Sequence, residues 1–228
     1  MYVRRSSERG HANHGWLNTR HSFSFARYYD RQHMGFGHLR VINQDVVSAG
    51  RGFGTHPHRN MEIISYVLRG ALAHRDTLGT GSIIRPGDVQ LMSAGAGIAH
   101  SEFNASQTEP VSFLQIWIMP RTGGGQPRYE QRTFPKTKTD LKHIVSSDGR
   151  NGTLTIKQDM NLHRIDFNDA ATQTHTLQYN RAWVQVIDGT LSVNGMELHP
   201  GDGLGLSTDK TVHLHSDGRV EALLFDLT

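Results

Sequence analysis

The chain alternates short apolar runs with Gly, Pro, Asn and Asp at close intervals, and long stretches with a helical period are missing. This pattern is typical of an all-β sandwich or barrel. Segment 121–140 is interrupted by Gly and Pro and predicts a linker. The runs that predict strands are LRVINQDVV (39–47), MEIISYVLRG (61–70), ALAHRDTL (71–78), DVQLMSA (88–94), AHSEFNA (99–105) and VSFLQIWIMP (111–120).

The second half of the chain repeats the pattern of the first. Segment 182–207 begins with an apolar strand, after which Gly189 takes the place of Gly70. A Pro-Gly-Asp triplet then follows at 200–202, as it does at 86–88. A repeat of this kind predicts two stacked β-barrels of one ancestry.

Length and composition allow two barrels and exclude several kinds of metal site. A chain of 228 residues with 36% hydrophobic residues can bury one large β core or two smaller ones. We expect domains at 1–130 and 131–228. The absence of Cys excludes disulfides, thiolate zinc sites and iron–sulfur clusters, and it fits a reducing cytoplasm.

Neither a membrane nor a nucleic acid is favoured as a partner. The first 16 residues lack a continuous apolar segment, and no run of 18 apolar residues occurs, so we expect a soluble, cytoplasmic protein. The net charge of +3 is mild, and no helix-turn-helix or RRM pattern is present. The six arginines among the first 31 residues therefore favour a solvated basic face over a nucleic-acid surface.

Four side chains form the candidate metal site. Because successive side chains of a strand alternate faces, His56 and His58 should point the same way, as should His100 and Glu102 on a second strand. With 15 His in the chain, about one His-x-His pair is expected by chance, so the spacing alone decides little.

The context of these residues carries more information than their spacing. The order of glycines, histidines and acidic residues resembles the two motifs of the cupin superfamily. Two departures are small: seven residues separate Glu62 from Gly70, and Gly95 stands where a Pro is usual. The positions that carry the resemblance are Gly50, His56, His58, Glu62 and Gly70 in the first motif, and Gly97, His100 and Asn104 in the second.

A narrower resemblance covers roughly the first 130 residues. The stretch RGHANHGWLNTRHSFSFARYYDRQHMGFGHLRVINQDVV, followed by the two motifs, QIWIMP and PRYEQR, resembles the pirin family. The resemblance implies two cupin barrels, that is, double-stranded β-helix jelly rolls. It also implies a metal site of His56, His58, His100 and Glu102, with Fe(II) as the ion and Zn, Ni, Mn or Cd as further occupants. Glu62 is then expected behind the ligands, where a carboxylate orients a histidine.

The resemblance further implies quercetin 2,3-dioxygenase activity on a flavonol and O2. Glu102 is the candidate base for the flavonol 3-hydroxyl. An aromatic substrate would be walled by Phe23, Phe25, Met34 and Phe36, although these side chains also suit a simple cover of the barrel. A rival hypothesis is a metal-dependent regulator that binds a transcription factor or a metabolic enzyme. A binding cupin for a sugar or small acid, without redox chemistry, is a third reading.

The C-terminal barrel is predicted to lack metal. Aligning the glycines of the repeat places His175 over His56, Leu177 over His58 and Arg181 over Glu62. An aliphatic side chain and a cation at these positions should not hold a divalent ion. The three histidines of this barrel, His175, His213 and His215, keep open a binding role in it.

Overall fold

The computed structural model describes residues 1–136 and 139–228, with the side chains of 139 and 140 outside the description. The strands are β1 (Tyr2–Arg4), β2 (Gly10–Asn13), β3 (Leu17–His21), β4 (Leu39–Val47), β5 (Gly52–His58), β6 (Glu62–Arg69), β7 (Leu72–Asp76), β8 (Gly81–Ile84), β9 (Asp88–Ser93), β10 (Ile98–Asn104), β11 (Val111–Ile118), β12 (Arg128–Thr133), β13 (Thr139–Ser146), β14 (Leu154–Thr155), β15 (Met160–Phe167), β16 (Ala171–Thr176), β17 (Arg181–Asp188), β18 (Leu191–Val193), β19 (Met196–Leu198), β20 (Gly203–Leu206), β21 (Thr211–Ser216) and β22 (Val220–Leu227). Two short 3-10 helices cover Ser6–Glu8 and Arg150–Gly152. Within the described residues, no helix is long and apolar enough to cross a membrane.

The chain forms two compact units, each of two β-sheets. The N-terminal unit consists of Gly10–Phe134 with Ile156–Gln158. Its sheets have the strand orders β12-β9-β6-β11-β4-β3-β2 and β5-β10-β7-β8. The C-terminal unit consists of Met1–Arg9, Pro135–Thr155 and Asp159–Thr228. Its sheets are β1-β20-β17-β22-β15-β13-β14 and β16-β21-β18-β19. The all-β prediction is confirmed, and the domain boundary at residue 130 stays a prediction.

The core of each unit fills the space between its two sheets. In the N-terminal unit, Val67 and Phe113 of the larger sheet pack with Leu72 and Ile84 of the smaller one. Burial alternates along β7, as expected for a strand with one buried face, whereas the first six residues of β6 are all buried. Each fully buried aliphatic or aromatic side chain contributes about 1.5–3 kcal/mol relative to an exposed one. The same arrangement recurs in the C-terminal unit, whose core includes Val184 and Leu214.

Equivalent glycines show that the repeat seen in the sequence is structural. Gly70 and Gly189 both have a positive φ, +81° and +76°, and each lies between two consecutive strands that belong to different sheets of its unit. A Cβ at Gly70 would lie 2.9 Å from the carbonyl oxygen of Pro110, and a Cβ at Gly189 would collide with that of Arg219. Both turns therefore need the backbone freedom and the missing side chain of glycine.

The predicted linker at 121–140 contains a strand, so that prediction was wrong in part. Arg128–Thr133 forms β12 and pairs antiparallel with β9. The glycines of the segment, at 123–125, precede the strand, and its residues RYEQRT pair at a sheet edge, where half-exposed polar side chains are tolerated. Positions 137 and 138 lie outside the described residues.

Candidate metal centre

The predicted ligands lie on two paired strands, β5 and β10. His100 is the cross-strand partner of His56, whereas Glu102 pairs with Phe53. The register shifts between these two pairs, which marks a β-bulge or similar irregularity. Irregularities of this kind re-aim side chains beside functional sites.

Three imidazole rings converge at this place. The ring centroids lie 4.8 Å apart for His56 and His58, 4.5 Å for His56 and His100, and 4.9 Å for His58 and His100. The nitrogen atoms that face each other most closely are His56 Nε2 and His100 Nε2, at 3.1 Å. One ligand atom from each ring lies within 4.8 Å of the others. Three imidazole nitrogens at this separation fit a transition-metal ion.

The electrostatics of the rings favour the form that binds metal. Burial, followed by the charge of His56, lowers the pKa of His58 to about 4. Burial and three neighbouring imidazoles lower the pKa of His100 to about 2. Neutral imidazole is the ligand form of histidine, so these residues are ready to bind a cation at neutral pH.

Glu102 is buried and is held by two neutral donors. Gln115 Nε2 donates to Oε2 at 2.7 Å, and Ser65 Oγ donates to Oε1 at 3.0 Å. Burial raises the pKa of this carboxyl, and the two hydrogen bonds oppose the rise. Glu102 groups with His74 and His100, with one ligand atom of each within 4.8 Å of the others.

Glu62 is buried but engages other groups. Ser93 Oγ donates to its Oε2 at 2.7 Å, and the backbone N–H of Lys157 donates to the same oxygen at 3.2 Å. Neither of these two hydrogen bonds of Glu62 involves a histidine. Its expected role in orienting a ligand therefore stays a prediction.

Two cavities lie near the predicted site, and the smaller one borders two of its histidines. The smaller one, about 70 Å³, is lined by His56, His58, Glu102, Gln115 and Trp117 together with four residues of the larger cavity. The larger one, about 550 Å³, includes aromatic and polar side chains of the N-terminal stretch. The residues that line both are Phe25, Asn43, Asp45 and Phe53.

The four aromatic or thioether side chains predicted to wall a substrate lie in different surroundings. Phe25 lines both cavities and packs edge-on against Trp117. Phe23 and Phe36 are core residues, and Met34 is 40% exposed. The described linings include Phe25 but not the other three, whose substrate role stays a prediction.

Several polar residues of the site were missed by the sequence reasoning. Asp45, Ser65 and Gln115 lie within apolar strands, and His74 and Asp76 lie on β7 beside β10. Burial raises the pKa of Asp45 to about 7. For Asp45, Ser65 and Gln115 a usable signal was present, because burying a polar side chain within an otherwise apolar run is costly and so marks a position with a specific contact or role.

The C-terminal unit has a histidine cluster of a different kind. His143, directly opposite His163 on the paired strand, stacks on it at 4.4 Å, and His175 lies 4.6 Å from His163. His213 and His215 are exposed. Among the residues that the structure describes, both groups of three ligand atoms at metal-binding distance lie in the N-terminal unit. The absence of metal from the C-terminal barrel stays a prediction.

Two cupin units and a His/Glu cluster define a bicupin with a candidate centre for a divalent metal. A model of the family described as Pirin matches residues 2–118, and one described as Quercetinase C-terminal cupin domain matches residues 143–227. The chain therefore belongs to the pirin family, and the predicted resemblance to quercetin 2,3-dioxygenases is confirmed.

Relatives match over the full length. The chain is 47% identical to a protein of Escherichia coli K12 named quercetin 2,3-dioxygenase, covering 100% of this chain and 98% of the relative. It is 38% identical to a pirin-like protein of Caulobacter vibrioides, over 95% of each. The structure of the bacterial pirin YhhW from E. coli in complex with nickel(II) matches with a TM-score of 0.95 at 47% identity, covering 99% of this chain and 98% of that one. This complex and the His/Glu cluster support a divalent metal here.

Proposed function

We propose that the protein is a metal-dependent dioxygenase that cleaves a flavonol such as quercetin with O2. The ligands in this proposal are His56, His58, His100 and Glu102. The observation that carries it is the convergence of three imidazoles beside a small cavity that shares four lining residues with a larger, aromatic-lined one. The name of the E. coli relative supports the choice of reaction.

The ion in this proposal is Fe(II). Three imidazoles and a carboxylate suit first-row divalent ions and leave coordination positions open, whereas a structural zinc site is closed. Zn, Ni, Mn or Cd could take the same ligands, since affinity order does not select iron. When bound, the ion would act as a Lewis acid that favours the deprotonated 3-hydroxyl of a flavonol.

Glu102 is the proposed acceptor of the 3-hydroxyl proton. Because burial raises its pKa, the carboxylate gains more from accepting a proton than an exposed one would. The donors Ser65 and Gln115 keep it aimed at the small cavity. Asp45 is a second carboxyl in the same cavity wall, and its pKa of about 7 makes it the next group that can share the proton.

The aromatic side chains would receive the rings of the substrate. Trp117 lies edge-on to His58 at 5.0 Å and to Phe25 at 5.3 Å, so it fixes both the ligand ring and the cavity wall. Phe53 and Tyr28 extend this surface into the larger cavity. A planar substrate held between aromatic faces would lose little conformational entropy on binding. We place the reaction in the cytoplasm, in keeping with the absence of Cys.

Oxygen uptake tests the proposal. Metal-free protein is reconstituted with Fe(II) without oxygen and then mixed with aerated quercetin, while the flavonol absorbance and dissolved O2 are recorded. Both should fall, and a flavone without the 3-hydroxyl should be inert. Failure of Fe(II)-loaded protein to consume O2 would contradict the proposal and favour the regulator that binds a transcription factor or metabolic enzyme.

A further inference from the structure

A buried series of side chains runs from Asp76 through His74 to His100. Asp76 Oδ2 lies 3.0 Å from His74 Nε2, and His74 Nδ1 lies 3.4 Å from His100 Nδ1. The pairing of β7 with β10 brings these side chains together, because it places Asp76 opposite His100 and His74 opposite Glu102. The side chains of Asp76 and His74 have no exposed surface. Solvent therefore does not compete for these contacts.

The first member of the series is fixed by the turn that follows it. The backbone N–H groups of Leu78 and Thr80 donate to Asp76 Oδ1 at 2.9 and 3.0 Å. Oδ2 is thereby left facing His74. The ring of Tyr129 packs on the ring of His74 at a centroid distance of 4.8 Å. This contact limits the rotation of the His74 ring.

Hydrogen-bond chemistry then determines where each ring proton lies. A carboxylate only accepts, so His74 Nε2 carries the proton that bonds to Asp76. A neutral His74 has its lone pair at Nδ1, which can accept only from a protonated Nδ1 of His100. His100 is consequently left with a lone pair at Nε2.

The free lone pair of His100 is on the nitrogen that faces the predicted ligand His56. Its Nε2 lies 3.1 Å from His56 Nε2. His56 reaches the same tautomer by a shorter route, because its Nδ1 donates to the carbonyl oxygen of Gly54 at 2.9 Å. Two nitrogen lone pairs thus face each other, an arrangement that a cation between them stabilises.

We propose that Asp76 and His74 are positioning residues that hold His100 in the tautomer whose Nε2 binds the metal. The proposal rests on the metal site of the proposed function and is independent of its substrate. A different arrangement would use His74 as a ligand, since one atom each of His74, His100 and Glu102 also lie within 4.8 Å of one another. In the observed contacts both ring nitrogens of His74 already have partners, Asp76 and His100.

Asp76→Asn gives a test that keeps the size of the side chain. The amide oxygen of the new residue should take the place of Oδ1, which accepts from the two backbone N–H groups. Its NH2 group would then face His74 Nε2 and donate to it. Each ring in the series would switch tautomer in turn, and the proton would move to His100 Nε2, the atom that should bind the metal.

The tautomers can be measured in the metal-free protein. Long-range 1H–15N correlation spectra at pH 7.5 should show the ring proton of His100 on Nδ1 in the wild type and on Nε2 in Asp76→Asn. A proton on Nε2 in the wild type, or the same tautomer in both proteins, would overturn the proposal. Because no metal is present, this result does not depend on the proposed function.

Metal affinity gives the second readout. Ni(II) titrated against a competing chelator should bind Asp76→Asn and His74→Leu about 10- to 100-fold more weakly than wild type. His74→Gln should recover most of the loss, because its amide oxygen accepts from His100 Nδ1. If Asp76→Asn does not fold, His74→Leu carries the spectroscopic test, because without an acceptor at Nδ1 the ring of His100 should lose its preference for the Nδ1 proton.

Asp88→Asn is the matched control. Asp88 also accepts a backbone N–H at a turn, from Arg85 at 3.0 Å, and its described hydrogen bonds involve no histidine. Its affinity for Ni(II) should equal that of the wild type. Wild-type affinity for Ni(II) in His74→Leu would overturn the proposal. If His74→Gln loses Ni(II) as fully as His56→Ala, His74 is itself a ligand, and the proposal is also overturned. Wild-type protein that binds no Ni(II) would instead contradict the metal site itself.

Discussion

Replacing His163 by Leu should make the C-terminal unit less sensitive to acid. The ring of His163 lies between those of His143 and His175, and its Nδ1 has no hydrogen-bond partner among the described residues. Burial, then the charges of His143, His175 and Arg150, lower the pKa of His163 to about 3. The folded state therefore keeps this ring neutral at pH values where the unfolded chain binds a proton.

The sign and size of the effect follow from linkage. A basic group with a lowered pKa in the folded state costs no stability above its unfolded pKa, 6.5, and destabilises progressively as the pH falls towards 3. The slope is about 1.4 kcal/mol per pH unit for one proton. Between pH 7.5 and pH 5, His163 should thus remove about 2 kcal/mol from the free energy of unfolding.

Urea unfolding of metal-free protein at both pH values measures this loss. Trp183 lies in the C-terminal unit, so its fluorescence reports on that unit when Trp16 and Trp117 are replaced by Phe. His163→Leu should lose about 2 kcal/mol less than its parent over the pH range, and His213→Leu, the same change at an exposed position, should behave like the parent. Equal losses in all three proteins would refute the assignment of His163 as a buried neutral base.

Three further predictions concern the metal centre. Metal analysis should give about one divalent ion per chain. His56→Ala should lose this ion, and His213→Ala should keep it. Two tightly held ions would contradict a C-terminal barrel without metal. Glu102→Gln should weaken metal binding sharply in a chelator competition, whereas Glu62→Gln should cost about 10- to 100-fold or less, and the reverse order would make Glu62 the ligand. Asp45→Asn should remove a transition near pH 7 from the pH profile of quercetin turnover, and an unaltered profile would exclude Asp45 from the proton transfer.

Local patterns were sufficient to predict the strands and the central histidines. Alternating apolar runs gave β4, β6, β7, β9, β10 and β11 with ends close to those observed, because each run buries one face or both. The pairs His56/His58 and His100/Glu102 could be assigned from strand parity. The bulge between His100 and Glu102 could not, since it depends on how β10 pairs with β5.

The features that escaped prediction depend on contacts between distant parts of the chain. His143 and His163 are 20 positions apart and meet only because β13 pairs with β15 in that register. Tyr2–Arg4 joins the C-terminal unit by pairing with β20, a contact that no local pattern announces. On β7, LAHRD has the alternation of an ordinary half-buried strand, so the roles of His74 and Asp76 emerge only from their neighbours on β10.

The stoichiometry of the reaction tests the central claim most directly. In the proposed reaction O2 adds to the flavonol and cleaves its heterocycle with release of one carbon monoxide. Quercetin loss, O2 uptake and carbon monoxide release are therefore measured together for Fe(II)-loaded wild type, for His58→Ala treated in the same way, and for free Fe(II) at the same concentration. The account predicts equal molar amounts of all three for the wild type and none above background for His58→Ala. Equal quercetin loss in the wild type, the variant and the free-iron control would show that the histidine site is not the catalyst.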